Sequence, residues 1–366
     1  MLRFLESMQF MLFVFFTAAY AYQIVYLFVG LIGKGRGGRE NAKLHRYAAV
    51  VAARNESAVI ANLIRTLKEQ NYPSELLDIY VIADNCTDNT AQISRQAGAY
   101  VYERFNKVQV GKGYALEYLF HHIFEDKGET AYDGFFVFDA DNIVDRDFVR
   151  EMNKMFDTGE YTALTSYRNS QNFCANWISA GYALWFLRES RFLNRPRTQL
   201  GVNCAVSGTG FLVSAQAVRE DAGWPYHLLT EDIQFSVHEI LQGRKVAFAP
   251  DAVLYDEQPT TFRQSWRQRM RWSQGYLQVF RDYGARLLRG IFRGSFSCFD
   301  MSMAIMPAFV LSTVSILVNL TLGVVGALAG DNLLVAFESV GQMLLNMYLT
   351  LLVLGGITTI TEWKNI

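Results

Sequence analysis

Residues 45–142 alternate between short apolar runs and amphipathic runs, and this alternation restricts the possible fold more than any other feature of the sequence. Four apolar runs are each closed by polar residues: HRYAAVVAARNES, DIYVIADNCTD, GAYVYER and YDGFFVFDADN. The segments between them place apolar residues at helical spacing, as in SAVIANLIRTLKEQ. Strands that alternate with helices in this way predict an α/β fold built on a doubly wound sheet.

Polar side chains follow three of the predicted strands. Arg54 follows the first strand, Asp84 the second, and Asp139 and Asp141 the fourth. Ligands of doubly wound sheets bind at the carboxyl ends of the strands. The sequence therefore predicts that these side chains converge on one site.

The pair Asp139 and Asp141 stands two residues apart after a buried strand. Paired carboxylates hold hard divalent cations such as Mg²⁺ or Mn²⁺, and the phosphates of a substrate complete the coordination shell. The alternative is that the two acids only decorate a turn, because D-x-D is a short and common pattern. Taken alone, the pair leaves both interpretations open.

A second acidic pair, Glu231 and Asp232, opens a predicted helix for which Thr230 is the expected N-cap. Acids at a helix N-terminus are ordinary partners of the helix dipole. A carboxylate at this place also suits a general base that takes a proton from an attacking hydroxyl. A metal pair with a separate base fits group transfer from an activated diphosphate.

Two glycine-containing segments add groups that suit a phosphate ligand and a close backbone approach. The turn SGTGF (207–211), with Ser207, Gly208 and Thr209, precedes a predicted strand and lets a ligand come near the backbone. Lys112 lies between two glycines at a predicted helix start, where its charge and free N–H groups can meet a phosphate. The glycine spacing differs from that of a Walker motif.

The segment 262–286 concentrates six arginines and two tryptophans in a chain whose formal net charge is only −1. The near-neutral charge argues against nucleic-acid binding. Guanidinium groups bind phosphate in a bidentate manner, so Arg271 suits a leaving diphosphate, and Trp272 suits a platform for an acceptor sugar. The other arginines fit a helix that lies at a membrane interface.

Long apolar stretches flank this middle section. Residues 8–32 contain no charged residue. The stretches 301–329 and 333–360, the second with Glu338 as its only charge, predict a helical hairpin. A signal peptide is the alternative for the first stretch. The basic residues beside these stretches predict that residues 34–300 are cytoplasmic. The expected organisation is a transmembrane helix (1–33), a catalytic domain (34–260), amphipathic interfacial helices (261–298) and a transmembrane hairpin (299–366), with continuation of the natural chain beyond residue 366 left open.

Together these features resemble the catalytic domain of glycosyltransferase family 2, in the membrane-embedded branch of processive cellulose, hyaluronan and chitin synthases. The resemblance covers residues 45–285 and depends on four motifs in the expected order: Asp84, Asp139-x-Asp141, Thr230-Glu231-Asp232 and Gln268-x-x-Arg271-Trp272. It implies a GT-A-type mixed α/β sheet flanked by transmembrane and interfacial helices. It also implies a UDP-sugar donor and Mg²⁺ or Mn²⁺ as cofactor.

The resemblance implies a role for each motif residue. The uridine pocket is expected to include Arg54, Glu56 and Asp84. The nucleotide's phosphates and metal are expected to meet Lys112, Asp139, Asp141, Gln268 and Arg271, with the metal on Asp141 and Asp139. Asp232 is the expected base, within the motif that also holds Thr230 and Glu231. The acceptor is expected to face Ser207, Gly208, Thr209 and Trp272.

The expected function is inverting transfer of glucose or N-acetylglucosamine from a UDP-sugar to a growing β-linked polysaccharide. One alternative is transfer of a single sugar to a lipid or lipid carrier. Another is a non-catalytic nucleotide-sugar-binding module or a sugar channel. The expected partners are the donor, a glycan acceptor, membrane lipid and a second copy of the chain, at a multi-pass plasma-membrane location.

Overall fold

The structure is a computed structural model of the chain. It describes residues 17–33, 35–305 and 333–366, together with twelve further positions: Ser7, Phe10, Met11, Val14, Phe15, Val314, Ile316, Leu317, Val318, Leu320, Thr321 and Val324.

One mixed sheet forms the centre of the described residues. Its eight strands are β1 (Tyr47–Ala53), β2 (Leu77–Asp84), β3 (Tyr100–Arg104), β4 (Gly134–Asp139), β5 (Ile143–Val144), β6 (Ala163–Ser170), β7 (Phe211–Ser214) and β8 (Val246–Asp256). Their order in the sheet is β3-β2-β1-β4-β7-β6-β8-β5. The first four strands pair in parallel, whereas β7 runs antiparallel to both β4 and β6. The predicted mixed α/β sheet is confirmed.

Helices cover both faces of the sheet and extend beyond its edge. They are α1 (Tyr22–Ile32), α2 (Ile60–Lys68), α3 (Thr90–Gln96), α4 (Lys112–Lys127), α5 (Phe148–Phe156), α6 (Trp177–Glu189), α7 (Arg195–Gln199), α8 (Ala215–Glu220), α9 (Glu231–Leu241), α10 (Phe262–Phe292), α11 (Phe296–Ile305) and α12 (Leu333–Thr361). A π-helical turn, Ser190–Asn194, joins α6 to α7.

The central strand β4 shows why some strands of the sheet have apolar residues at nearly every position. Phe135 and Val137 belong to one buried cluster, which includes Phe120 of α4. Phe136 and Phe138 belong to the cluster on the opposite face. Parallel strands that are covered on both faces need apolar side chains at every position instead of alternate ones. Because β4 is buried on both faces, its carboxyl end has a fixed position. Asp139 is the last residue of the strand, and Asp141 follows two residues later.

A third cluster joins α9 to the two helices that follow the sheet. Val237 of α9, Val279 and Leu287 of α10 and Met301 of α11 are all buried in it. The predicted interfacial segment 261–298 thus contains the 31-residue helix α10 and the start of α11. The domain boundaries given above stay predictions.

A buried ion pair ties the amino-terminal helix to this part of the fold. Arg197 Nε donates to Asp300 Oδ2 at 2.6 Å, and Tyr22 Oη donates to Asp300 Oδ1 at 2.8 Å. Arg197 and Asp300 are 5% and 2% exposed. Charges that are buried to this extent are tolerated only when they are paired and hydrogen-bonded.

The described residues include no helix with the length and apolar character that a bilayer crossing requires. The predicted multi-pass plasma-membrane location is therefore wrong, and the predicted flanking transmembrane helices have no support. Of the first apolar stretch, α1 covers only 11 residues. Much of residues 8–16 and most of 306–332 lie outside the described residues, so the predicted hairpin turn is not described.

Candidate active site

Lys112 brings three of the predicted motifs together. It is the first residue of α4, and its Nζ donates to Asp139 Oδ1 at 2.5 Å and to the Gly208 carbonyl at 2.6 Å. Glu231 Oε1 lies 3.9 Å from the same nitrogen. Burial opposes the charge of Lys112, but Asp139 and Glu231 outweigh it and raise the pKa of the amine. The ammonium group is therefore held charged at the centre of the site.

The backbone of the D-A-D turn is fixed by two neutral side chains. The Asp139 N–H donates to Thr209 Oγ1 at 2.8 Å and to Asn142 Oδ1 at 3.2 Å. Thr209 in turn donates to Asn142. Thr209 therefore supports the acidic turn, although it was predicted to face the acceptor. The sequence analysis did not identify Asn142.

The surroundings of Asp141 fit a divalent cation. Burial, together with the negative charges of Asp139, Asp256 and Glu56, raises the pKa of Asp141 to about 7, against the opposing charge of Arg168. Mg²⁺ and Mn²⁺ prefer hard oxygen ligands, and the carboxylates around Asp141 outnumber the nearby positive charges. Asp139 and Asp141 are the residues that would hold such an ion.

The acidic pair of α9 lies on the other side of Lys112. Burial raises the pKa of Glu231 to about 7 and also raises that of Asp232, while Lys112 opposes both shifts. Asp232 faces the glycine turn, because a Cβ added to Gly208 would lie 3.2 Å from Asp232 Oδ2. Gly208 has a φ of +79°, which places it in the left-handed region.

Thr230 occupies the N-cap position of α9, but its hydroxyl does not cap the helix. Within the described residues, the buried Thr230 Oγ1 has no hydrogen-bond partner. The side chain packs instead against α10, where a Cβ added to Gly275 would lie 2.5 Å from both Thr230 Oγ1 and Cγ2. In the structure, Thr230 therefore forms a close packing contact between the amino-terminal end of α9 and α10.

The Q-R-M-R-W segment lies on α10 and approaches α9 through Arg271. The exposed Arg271 donates from Nη1 to the Leu229 carbonyl at 3.1 Å, and its charge lowers the pKa of Asp232 against the larger effect of burial. Gln268 Oε1 is buried without a hydrogen-bond partner among the described residues. An unpartnered buried acceptor of this kind suits a ligand's hydroxyl or N–H group.

Trp272 packs edge-on against two aromatic residues of α6. Its ring centroid lies 5.9 Å from that of Tyr182 and 6.4 Å from that of Phe186. Phe186 in turn lies under the guanidinium of Arg168, whose Cζ is 3.8 Å from the ring centroid. Arg168 forms an ion pair with Asp256, which is near enough to raise the pKa of Asp141. Trp272 is thus connected to the acidic turn through packed side chains.

The three residues predicted for the uridine pocket lie at or just after the carboxyl ends of β1 and β2. Arg54 is exposed. The buried carboxylate of Asp84 accepts a hydrogen bond at Oδ1 from Arg104 at 2.7 Å. Its Oδ2 is therefore the atom that remains for a ligand. Glu56 lies close enough to Asp139 for the two charges to interact, and burial and Asp139 raise the pKa of Glu56.

Several residues that shape the site were not predicted from the sequence. Arg168 of β6 donates from Nε to Asp256 Oδ2 at 2.7 Å and from Nη1 to the Ser207 carbonyl at 2.9 Å. Asp256 is at the end of β8, the neighbour of β6 in the sheet. The two residues are 88 positions apart, and no short motif marks either of them.

A separate cluster of possible metal ligands is already neutralised. Ligand atoms of Asp221, His238 and Glu239 lie within 4.8 Å of one another. Arg244 donates to Glu239 Oε1 at 2.8 Å and to Asp221 Oδ1 at 2.9 Å. The guanidinium supplies the positive charge that a metal would supply, so this cluster is an ion-pair network.

Two curated relatives illustrate the similarity of the chain to known proteins. It is 28% identical over 239 residues to a beta-monoglucosyldiacylglycerol synthase of Synechocystis, covering 64% of this chain and 48% of the relative. It is 24% identical over 249 residues to a poly-beta-1,6-N-acetyl-D-glucosamine synthase of Staphylococcus epidermidis, covering 67% of this chain and 58% of the relative. The chain thus spans about half the length of the curated relatives it matches.

The solved structure of a mannosyltransferase from Pyrobaculum calidifontis, in complex with GDP-Man and Mn²⁺, has the same fold. It superimposes with a TM-score of 0.66 over 98% of both chains, at 17% sequence identity. The sequence model described as "Glycosyltransferase like family 2" matches residues 45–275. This match covers more than half of the chain and all of β1 to β8. The protein is therefore a member of glycosyltransferase family 2, with a GT-A-type mixed α/β fold.

Proposed function

We propose that this protein transfers a hexose from a UDP-sugar to a hydroxyl group of an acceptor, with inversion at the anomeric carbon. The observation that carries the proposal is the position of Lys112, which contacts Asp139 and Gly208 and lies 3.9 Å from Glu231. Residues separated by more than 100 positions in the chain thereby meet around one cation. A donor diphosphate that enters this site meets Lys112 and the amino-terminal end of α4.

Asp139 and Asp141 are proposed to hold Mg²⁺ or Mn²⁺. The ion, when bound, supplies positive charge to the donor diphosphate and so stabilises the leaving group. Glu56 and Asp84, at the ends of neighbouring strands, are proposed to bind the nucleoside. Arg271 is exposed, lies near Asp232 and is proposed to contact the diphosphate.

Asp232 is proposed to be the general base. The acceptor oxygen forms a bond to the anomeric carbon while the bond between that carbon and the UDP oxygen breaks, and the acceptor proton passes to Asp232. The electron pair of the broken bond leaves with UDP. Attack on the face opposite the leaving group inverts the anomeric configuration. A buried carboxylate with a raised pKa is a more effective base near neutral pH than an exposed one.

The acceptor is proposed to be the hydroxyl of a lipid, as the names of three curated relatives suggest. Three beta-monoglucosyldiacylglycerol synthases are 28–29% identical to the chain. Extension of a polysaccharide is the second candidate, because four poly-beta-1,6-N-acetyl-D-glucosamine synthases are 24–27% identical. Product size separates the two, since one gives a single lipid-soluble product and the other a long polymer.

The proposed function is tested by UDP release from a panel of UDP-sugars with Mg²⁺ or Mn²⁺. We expect one UDP-sugar to give metal-dependent release and Asp232→Asn to lower transfer at least 100-fold, while UDP binding stays within about twofold of the wild type. Asp282→Asn is the matched control, because Asp282 is a partly exposed aspartate of α10 that pairs with its neighbour Arg281. A fully active Asp232→Asn enzyme would contradict the assigned base, and absence of UDP release with every donor would favour a binding module.

A further inference from the structure

Glu189, the last residue of α6, is a carboxylate beside the site that the mechanism above does not use. Ser207 Oγ donates to Glu189 Oε1 at 3.4 Å, which is a weak hydrogen bond. Within the part of the chain that the structure describes, Glu189 has no ion pair within 4.0 Å. A carboxylate that is removed from bulk water ordinarily has a cation or several donors as partners.

The arginines near Glu189 are already paired with other groups. Arg168 donates to Asp256 at 2.7 Å, and Arg197 donates to Asp300 at 2.6 Å. Arg188, the neighbour in sequence, donates to Gln23 at 3.4 Å. The positive charges of these three arginines partly compensate the negative charge of Glu189, but none of the three contacts its carboxylate oxygens. The oxygens are therefore available to a ligand.

Glu189 lies on the same side of the site as the base. Ser207, which contacts Glu189, precedes Gly208, the residue that faces Asp232. Ser207 thus contacts Glu189 directly and adjoins the residue that faces Asp232.

We propose that Glu189 and Ser207 form an acceptor subsite that binds a second, uncharged hydroxyl group of the acceptor, next to the hydroxyl that Asp232 deprotonates. This proposal rests on the proposed function. A carboxylate accepts hydrogen bonds from hydroxyl groups and repels phosphate, so the subsite selects a neutral polyol and rejects an acceptor with a phosphate at this position. Sugars and monoacylglycerols carry a second free hydroxyl group of this kind, whereas a diacylglycerol has only one hydroxyl group.

The subsite is tested with purified protein and three acceptors: an alkyl β-glucoside, a monoacylglycerol and undecaprenyl phosphate. We expect the wild type to use at least one neutral acceptor and to use undecaprenyl phosphate at least tenfold less well. In Glu189→Gln, the KM for the neutral acceptor should rise about tenfold, because a charge-assisted hydrogen bond becomes a neutral one. The KM for the UDP-sugar should stay within about twofold, and Glu189→Asp should recover part of the loss.

Glu69→Gln is the matched control, because Glu69 is an exposed glutamate that pairs with Arg65 one turn away. Equal changes of donor and acceptor KM in Glu189→Gln would overturn the proposal, since a merely structural role affects both substrates. Preference of the wild type for undecaprenyl phosphate would also overturn it. Failure of the proposed function is distinct, because the wild type would then release no UDP with any donor.

Discussion

Gly208→Ala is expected to impair catalysis by displacing the proposed base. The glycine has a φ of +79°, and a Cβ at this position would lie 3.2 Å from Asp232 Oδ2. Contacts between real Cβ atoms and oxygens seldom fall below about 3.4 Å, so one of the two groups must move by a few tenths of an ångström. Lys112 holds the Gly208 carbonyl at 2.6 Å, and the turn is therefore not free to retreat.

The expected magnitude has two parts. A non-glycine residue in the left-handed region costs about 1–2 kcal/mol of stability. A general base contributes about 10²–10⁴-fold to the rate, and small misplacements of catalytic groups remove part of that contribution. We therefore expect kcat to fall about tenfold, which corresponds to about 1.4 kcal/mol in the activation free energy.

Gly159→Ala is the control for backbone strain. Gly159 has a φ of +74°, but a Cβ added there meets no atom within 4 Å. Both variants should lose a similar amount of free energy of unfolding in urea, whereas only Gly208→Ala should lose kcat in a steady-state UDP-release assay. Equal kcat values for the two variants would refute the proposed placement of Asp232 against the glycine turn.

Three further predictions concern the pair of acids, the metal and a buried ion pair. Transfer requires ionised Asp232, so the transfer rate should fall as the pH drops through the raised pKa of Asp232. Glu231→Gln removes a neighbouring negative charge, which lowers the pKa of Asp232 and should move this fall in rate to lower pH in a pH–rate profile. Excess chelator should abolish UDP release, and Mg²⁺ or Mn²⁺ should restore it; release unchanged by chelator would exclude a metal role. Asp300→Asn should destabilise the protein by about 3 kcal/mol in urea unfolding, because it leaves the Arg197 charge buried without its carboxylate partner; Arg197→Met with Asp300→Leu should recover most of the loss.

The amino-terminal half of the sheet could be predicted from the sequence because its signals are local. Strands β1, β2 and β4 are buried on both faces, so each appears as an uninterrupted apolar run. The polar residues that follow them mark the carboxyl ends, and parallel pairing brings these ends to one edge. Asp139 and Asp84 could be placed near one another on this basis alone.

The remainder of the site depends on contacts between distant segments. Arg168 and Asp256 meet only because β6 and β8 pair, with a register shift between Ser166 and Tyr167. Glu189 ends the mostly apolar helix α6 and has no motif around it. The apolar stretches near the two ends of the sequence predicted membrane spans, but apolar composition does not by itself distinguish a membrane span from a helix that packs on protein.

The contact between Gly275 and Thr230 limits how far sequences of this kind can diverge. A single methyl group at position 275 would have to occupy space that Thr230 already fills. The helix would then have to roll or lift, and Arg271 and Trp272, one turn earlier, would be carried with it. Bulky substitutions are tolerable along the exposed side of this helix, whereas Gly275, like Gly290 against Cys298 Sγ, has no space for a side chain.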